Sequence, residues 1–386
     1  MPMRTVHPCT MIGAYGWDQD RVPRDEFQIR LSALHGVMDA QGSKAMLVYG
    51  DACEHSDLAY FTNFIPRHRW ALALLPRQGE ARLLVSMSSR DMPAQRLMTW
   101  IPDVLSGWTW ESVFDPWLAG LGADAADIGT VRFDLMRPPL LASIEKSLAN
   151  RFRLVAADID VSTLRATRPR ELSLVREACT VVEVGAAAMQ KAWRGGAGNE
   201  TAVLEGERVA RALAAQDVRT LVSLDGGRTL APFRGAFQAR VEPFLGYIAV
   251  KHRGYWAELF VNAAEQPSDI LRRADAGLSA VLGAAEYGAN AIALHAKATE
   301  PLGSYSLHPV LGGSVGRRIG LSLDEGGKLG RHTDELLWVH SDDVYAVHVG
   351  TRDPDAGGVI VSAMITMTPE GCEVLARSPN HDLSRP

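Results

Sequence analysis

A carboxylate, an imidazole and a hydroxyl stand on three stretches that read as strands, and together they could move a proton. Glu258 shares a strand face with Trp256 and Phe260, His348 shares one with Val344 and Ala346, and Ser362 alternates with Ile360 and Met364. A carboxylate left unpaired on so apolar a face is costly, and burial raises its pKa. An imidazole titrating near neutrality could both donate and accept a proton. A Ser362, His348, Glu258 relay is geometrically conceivable. Plainer readings compete with it: Glu258 in a buried ion pair with Arg317, His348 as a satisfied core residue, and Ser362 as a small hydroxyl filling a packed strand. A basic run, Arg67, His68 and Arg69, follows Pro66 on an apparent loop. Such runs are usually solvated, yet an arginine fork suits a bidentate grip on a carboxylate. His252 and Arg234 flank strand stretches and suit a rim. The paired glycines of GGRTLAPFRG, residues 226–235, lack the spacing of a nucleotide-phosphate loop.

The elements that must position these groups divide near residue 160. Before it, helix spacing over Phe27 to Met38 alternates with strand patterns at 45–49, 70–75, 82–85 and 130–133, which describes an α/β domain over residues 1–160. The strongest helix pattern runs over 168–193, with Pro169 in its first turn. It opens a second domain, residues 161–386, with strands expected at 218–224, 244–251, 254–262, 344–350 and 359–368 and helices at 200–215, 269–287 and 292–300. A curved antiparallel sheet covered by helices is the natural α+β arrangement. Composition excludes several classes of function. With 386 residues, 47% hydrophobic and a net charge of -5, the chain can bury two cores and offers no basic footprint for nucleic acid or an anionic membrane. Cys9, Cys53, Cys179 and Cys372 are too scattered for a disulfide framework or a zinc knuckle. No apolar run approaches membrane-spanning length, and the start of the chain does not read as a signal peptide. A soluble cytoplasmic protein is expected.

Ordered motifs carry a resemblance. STLRATRPRELSLVREAC at 162–179, LVSLDGGRTLAPFRG at 221–235, HRGYWAELF at 252–260, VGRRIGL at 315–321, VYAVHVG at 344–350 and GGVIVSAMITMTPEGCEVL at 357–375 resemble, in order, the catalytic domain of the creatinase, prolidase and aminopeptidase P superfamily, the pita-bread fold. YFTNFIPRHRWALALLP at 60–76 resembles the N-terminal domain that accompanies it.

The resemblance implies a pocket with altered chemistry. Metal-dependent members hold two metal ions with two Asp, one His and two Glu, and on those motifs the five ligands fall at Tyr247, Glu258, Arg317, His348 and Ser362. Metal pairs need several anionic or imidazole donors at about 2.0 to 2.2 Å, and only Glu258 and His348 qualify. No metal and no cofactor are therefore expected. Creatinase shows that the fold can hydrolyse a C–N bond without metal, and ectoine hydrolase looks like a second case. That chemistry relies on a His in the loop after the domain's first strand, which here reads Ala231-Pro232-Phe233-Arg234. The implied function is a metal-independent, creatinase-like hydrolase cleaving a C–N bond in a small carboxylate-bearing metabolite. The alternatives are a lyase on a similar molecule and a non-catalytic binding module. His348 is expected as proton shuttle with Glu258 beside it, and Arg317 and Tyr247 as stabilisers of negative charge. Arg67, His68, Arg69, Phe233, Arg234, His252 and Ser362 would bind substrate. A homodimer is implied, in which the Arg67 to Arg69 loop of one subunit completes the other's pocket.

Overall fold

The computed structural model describes residues 16–122, 126–148, 151–157, 167–232, 239–266, 268–326, 328–330, 343–368 and 370–379. The chain divides into two compact units, Met1–Arg165 and Ala166–Pro386.

The first unit is a mixed six-stranded sheet with helices. In chain order it runs α1 (Arg24–Gln41), β1 (Ser43–Asp51), α2 (Ser56–Thr62), β2 (Trp70–Pro76), β3 (Arg82–Val85), β4 (Asp103–Ser106), α3 (Glu111–Gly120), β5 (Ala126–Val131), α4 (Pro138–Leu148) and β6 (Phe152–Ala156). The strand order is β4-β3-β2-β1-β5-β6. β1 pairs antiparallel with β2 and parallel with β5, so the sheet changes sense at its centre. Leu47, Leu72, Leu74 and Leu84 meet Trp110, Phe114 and Trp117 in one core. Sequence periodicity located β1, β2 and β3, met β5 only at its last two residues, and missed β4 and β6, the first of which is four residues long and half exposed.

The second unit is antiparallel throughout its described ladders. α5 (Pro169–Arg194) opens it, with Pro169 in its first turn. It continues with α6 (Asn199–Ala212), β7 (Asp217–Val222), β8 (Phe244–His252), β9 (Tyr255–Ala263), α7 (Asp269–Ala284), α8 (Ala291–Thr299), β10 (Gly316–Arg318), β11 (Val344–Asp353), β12 (Gly357–Thr368) and β13 (Gly371–Arg377). The strands form two sheets, β7-β8-β9 and β10-β11-β12-β13, rather than one. The reason lies at β9 and β12, which are tied by side chains instead of a backbone ladder. Asn262 Oδ1 accepts from the Ile360 amide at 3.1 Å and its Nδ2 donates to the Ile360 carbonyl, while the Phe260 amide donates to Ser362 Oγ at 2.8 Å.

The period of two gives the second sheet its two jobs. On the odd positions Tyr345, Val347, Val349, Val359, Val361, Ala363 and Ile365 pack against Ala274, Leu278 and Val281 of α7 and Leu294 of α8. The even positions, His348 and Ser362 among them, face the other way. Among the described residues no helix is long and apolar enough to cross a membrane. Cys53, Cys179 and Cys372 are free thiols, and Cys9 lies outside the described residues.

Candidate active site

Each of five strands supplies one side chain: Tyr247 from β8, Glu258 from β9, Arg317 from β10, His348 from β11 and Ser362 from β12. In the β8–β9 ladder Tyr247 pairs with Phe260 and Ala249 with Glu258, so Tyr247 and Glu258 are diagonal neighbours on one face. The Tyr247 hydroxyl donates to Glu258 Oε2 at 2.6 Å. Arg317 Nη2 donates to the same oxygen, also at 2.6 Å, while its Nε donates to the Leu323 carbonyl at 3.1 Å. His348 Nδ1 lies 3.8 Å from Glu258 Oε1, beyond a hydrogen bond, and neither atom has a hydrogen-bond partner among the described residues. Phe260 fills the floor between them, its ring centroid 5.1 Å from Tyr247 and 5.7 Å from the edge-on His348. The side chains of Glu258 and His348 are 1% and 4% exposed, and Arg317 is the most open of the three at 21%.

Burial governs the electrostatics. It raises the Glu258 carboxyl above its ordinary value, a shift opposed by the Arg317 charge and the Tyr247 hydrogen bond. Burial and then the Glu258 charge push the Tyr247 phenol well above its usual range, so it remains a donor. His348 is pushed down to about 3, first by burial and then by Arg317. The expectation that His348 titrates near neutrality fails for this reason: a tightly enclosed imidazole beside a fixed cation stays neutral at pH 7. The plain ion-pair reading of Glu258 and Arg317 is realised, but as one limb of a four-residue cluster.

Ser362 faces His348 in the β11–β12 register, yet its hydroxyl is engaged elsewhere. Besides accepting from the Phe260 amide, it lies 3.0 Å from Ser378 Oγ, which donates to the Phe260 carbonyl at 2.8 Å. It closes the seam between the sheets. His252 sits at the β8–β9 turn with Nε2 3.5 Å from a Glu177 carboxylate oxygen of α5, away from the Glu258 face. Phe233 and Arg234 lie outside the described residues. Arg67, His68 and Arg69 belong to the first unit, where His68 and Arg69 are exposed and Arg69 adopts a left-handed backbone with φ 58°. The paired glycines have a packing role instead of a phosphate role. A Cβ on Gly227 would stand 1.9 Å from the Gly358 carbonyl oxygen, and the Gly358 amide donates to the Gly226 carbonyl at 2.8 Å.

Sequence reasoning missed Asp324 and Ser378. Asp324 is exposed, and its charge is felt at both Glu258 and Arg317. It lies in a turn-rich stretch without strand periodicity, and only its proximity to Arg317 in the chain could have suggested it.

The comparisons fit this architecture. Residues 30–167 match the Creatinase/Prolidase N-terminal domain family. The X-Pro aminopeptidase of Thermotoga maritima MSB8 superposes with a TM-score of 0.75 at 18% identity, covering 91% of this chain and 98% of that one. The prolidase of Pyrococcus horikoshii OT3 gives 0.73 at 15%, covering 92% and 99%. The chain is built on the creatinase/prolidase fold. The N-terminal domain of the FACT complex subunit SPT16 from chickpea shares that fold too, with a TM-score of 0.64 at 15% identity over 91% and 96% of the two chains. No curated protein sequence matches.

The donor set does not fit the two-metal centre held by the metal-dependent proteins that the sequence motifs resemble. Among the described residues no three His, Cys, Asp or Glu side chains come together in a way that could hold an ion. At the five positions themselves, the one carboxylate is already capped by a phenol and a guanidinium.

Proposed function

We propose that this chain is a hydrolase that cleaves a C–N bond of a small carboxylate-bearing substrate without a metal ion. One observation carries the reading: three polar side chains from three strands converge on a single buried carboxylate, at the positions where the resemblance sets metal ligands. Such a cluster is costly to bury unless it serves a purpose, and perturbed carboxylates gather at functional sites. Glu258 is the proton carrier, because Oε1 has no hydrogen-bond partner among the described residues and burial strengthens the carboxylate as a base. His348, neutral, stands 3.8 Å from that oxygen without a hydrogen bond to it and restricts the space around it. Arg317 offers a fixed cationic donor to an oxyanion as the bond to nitrogen breaks, while the Tyr247 hydroxyl holds Glu258 Oε2. The names of the prolidase and X-Pro aminopeptidase neighbours agree with C–N hydrolysis.

A panel of N-acyl, N-carbamoyl and N-amidino amino acids, followed by mass spectrometry, tests this. Products that together contain one added water indicate a hydrolase, whereas an unsaturated product without added water indicates a lyase. Turnover should be indifferent to a strong chelator. Activity lost on chelation and restored by zinc, manganese or iron would sink the metal-free reading. The likeness to a FACT subunit domain supports a second reading, a binding module, which gains ground if no member of the panel turns over.

The dimer belongs to the same proposal, with the Arg67 to Arg69 loop of one subunit gripping the carboxylate in its partner's pocket. Mixing Arg69→Ala chains with Glu258→Gln chains should then restore part of the activity through hybrid dimers. A strictly monomeric active enzyme would refute the shared pocket.

A further inference from the structure

We propose that Arg317 takes the place of a metal ion, as a cation tethered to the chain that neutralises Glu258 and polarises the substrate, and that its removal uncovers a latent metal site. The inference rests on the metal-free reading above and extends it to a specific residue. Glu258 is the buried anion that any replacement of the metal must satisfy, and Arg317 Nη2 reaches its Oε2 at 2.6 Å. The guanidinium is fixed from behind by the Leu323 carbonyl at 3.1 Å from Nε, so its charge is held in place instead of sampling solvent. A guanidinium carries five N–H donors. Nε and Nη2 are directed at Leu323 and Glu258, Tyr247 lies within hydrogen-bonding reach, and the side chain is open enough for a substrate oxygen to meet the remaining N–H groups. Arg317 thereby supplies the charge stabilisation that a Lewis acid gives elsewhere in the superfamily, without creating a nucleophilic hydroxide.

The remaining donors stand at a distance that suits an ion. Glu258 Oε1 and His348 Nδ1 are 3.8 Å apart and have no hydrogen-bond partner among the described residues. An ion about 2.1 Å from each would subtend roughly 130° between them, within the range of a distorted four-coordinate centre. Two donors beside a permanent cation make a poor site. Exchanging that cation for an imidazole at position 317 gives one carboxylate and two histidines, a set that holds divalent metals.

Wild type, Arg317→His, Arg317→Ala and Arg317→Lys are each incubated with excess cobalt(II) or zinc, desalted and measured for bound metal, for the cobalt d–d absorption and for thermal midpoint. Arg317→His should retain about one equivalent, lost again when Glu258→Gln or His348→Ala is added, while wild type and Arg317→Lys retain less than about a tenth. If Arg317→His does not fold, Arg317→Ala is read the same way, through a rise in thermal midpoint with metal that Arg317→Lys does not show. A folded Arg317→His with no bound metal overturns the proposal. So does wild type holding a stoichiometric ion that His348→Ala abolishes. The two readings fail separately: chelator-insensitive turnover with no uptake by Arg317→His defeats only the tethered-cation role, and uptake without any hydrolysis defeats only the hydrolase.

Discussion

Replacing Glu258 with glutamine should lower turnover by roughly 10²-fold or more with the fold intact, the scale of lost general acid–base catalysis. Glutamine keeps the shape and can still accept from Tyr247, but it cannot carry the proton. His348→Gln should cost less, about tenfold, because the imidazole is neutral and acts through Glu258. Ser362→Ala should leave kcat nearly unchanged and lower stability by about 1–3 kcal/mol, since it strands the buried Phe260 amide. Steady-state kinetics and urea unfolding on the three variants separate these roles. A Glu258→Gln enzyme with normal kcat would remove the carboxylate from the mechanism, and a folded but inactive Ser362→Ala would move the hydroxyl into it.

Arg317→Ala should cost about 3 kcal/mol, towards the low end for a broken buried pair because the guanidinium is partly exposed. The loss should depend on pH in a definite direction. Without the guanidinium, the Glu258 carboxyl rises further above its unfolded value. Between those two values the folded chain binds more protons than the unfolded chain, so stability falls as pH rises through the window. The deficit relative to wild type should therefore be largest at alkaline pH and shrink as acid protonates the carboxyl. Adding Glu258→Gln to Arg317→Ala should recover much of it. Unfolding curves of wild type and variants across that range measure the effect. A deficit that does not vary with pH would mean that Arg317 contributes packing and not charge.

Much of the scaffold was legible because strand periodicity and turn residues are local. The expected strands at 244–251, 254–262 and 359–368 lie within a residue or two of β8, β9 and β12. β10 spans only three residues, too few to display a period, and β13 is half exposed on most of its length, so neither stood out. The cluster around Glu258 was legible through the order of motifs, since no local pattern links residues as far apart as Tyr247 and His348. The state of His348 was not, because its protonation depends on enclosure by Phe260 and on the Arg317 charge, both products of tertiary structure. The division into two sheets was equally hidden. It follows from side chains at 262 and 362 standing where backbone bonds were expected.

That side-chain stitching between β9 and β12 gives the second unit a built-in line of weakness. Each sheet retains its own backbone ladder on either side, so parting them at this seam breaks the hydrogen bonds of Asn262, Ser362 and Ser378, together with the Arg317–Glu258 pair and the bond from the Trp256 amide to the Gly320 carbonyl. Opening along this line would release the amides of Phe260 and Ile360 to exchange with solvent while the neighbouring strands stay paired. It would also draw Glu258 and His348 apart, since they stand on opposite banks. Exposure of the buried Glu258 carboxylate by such an opening would thus be resisted by side-chain bonds and one ion pair instead of by a continuous backbone ladder.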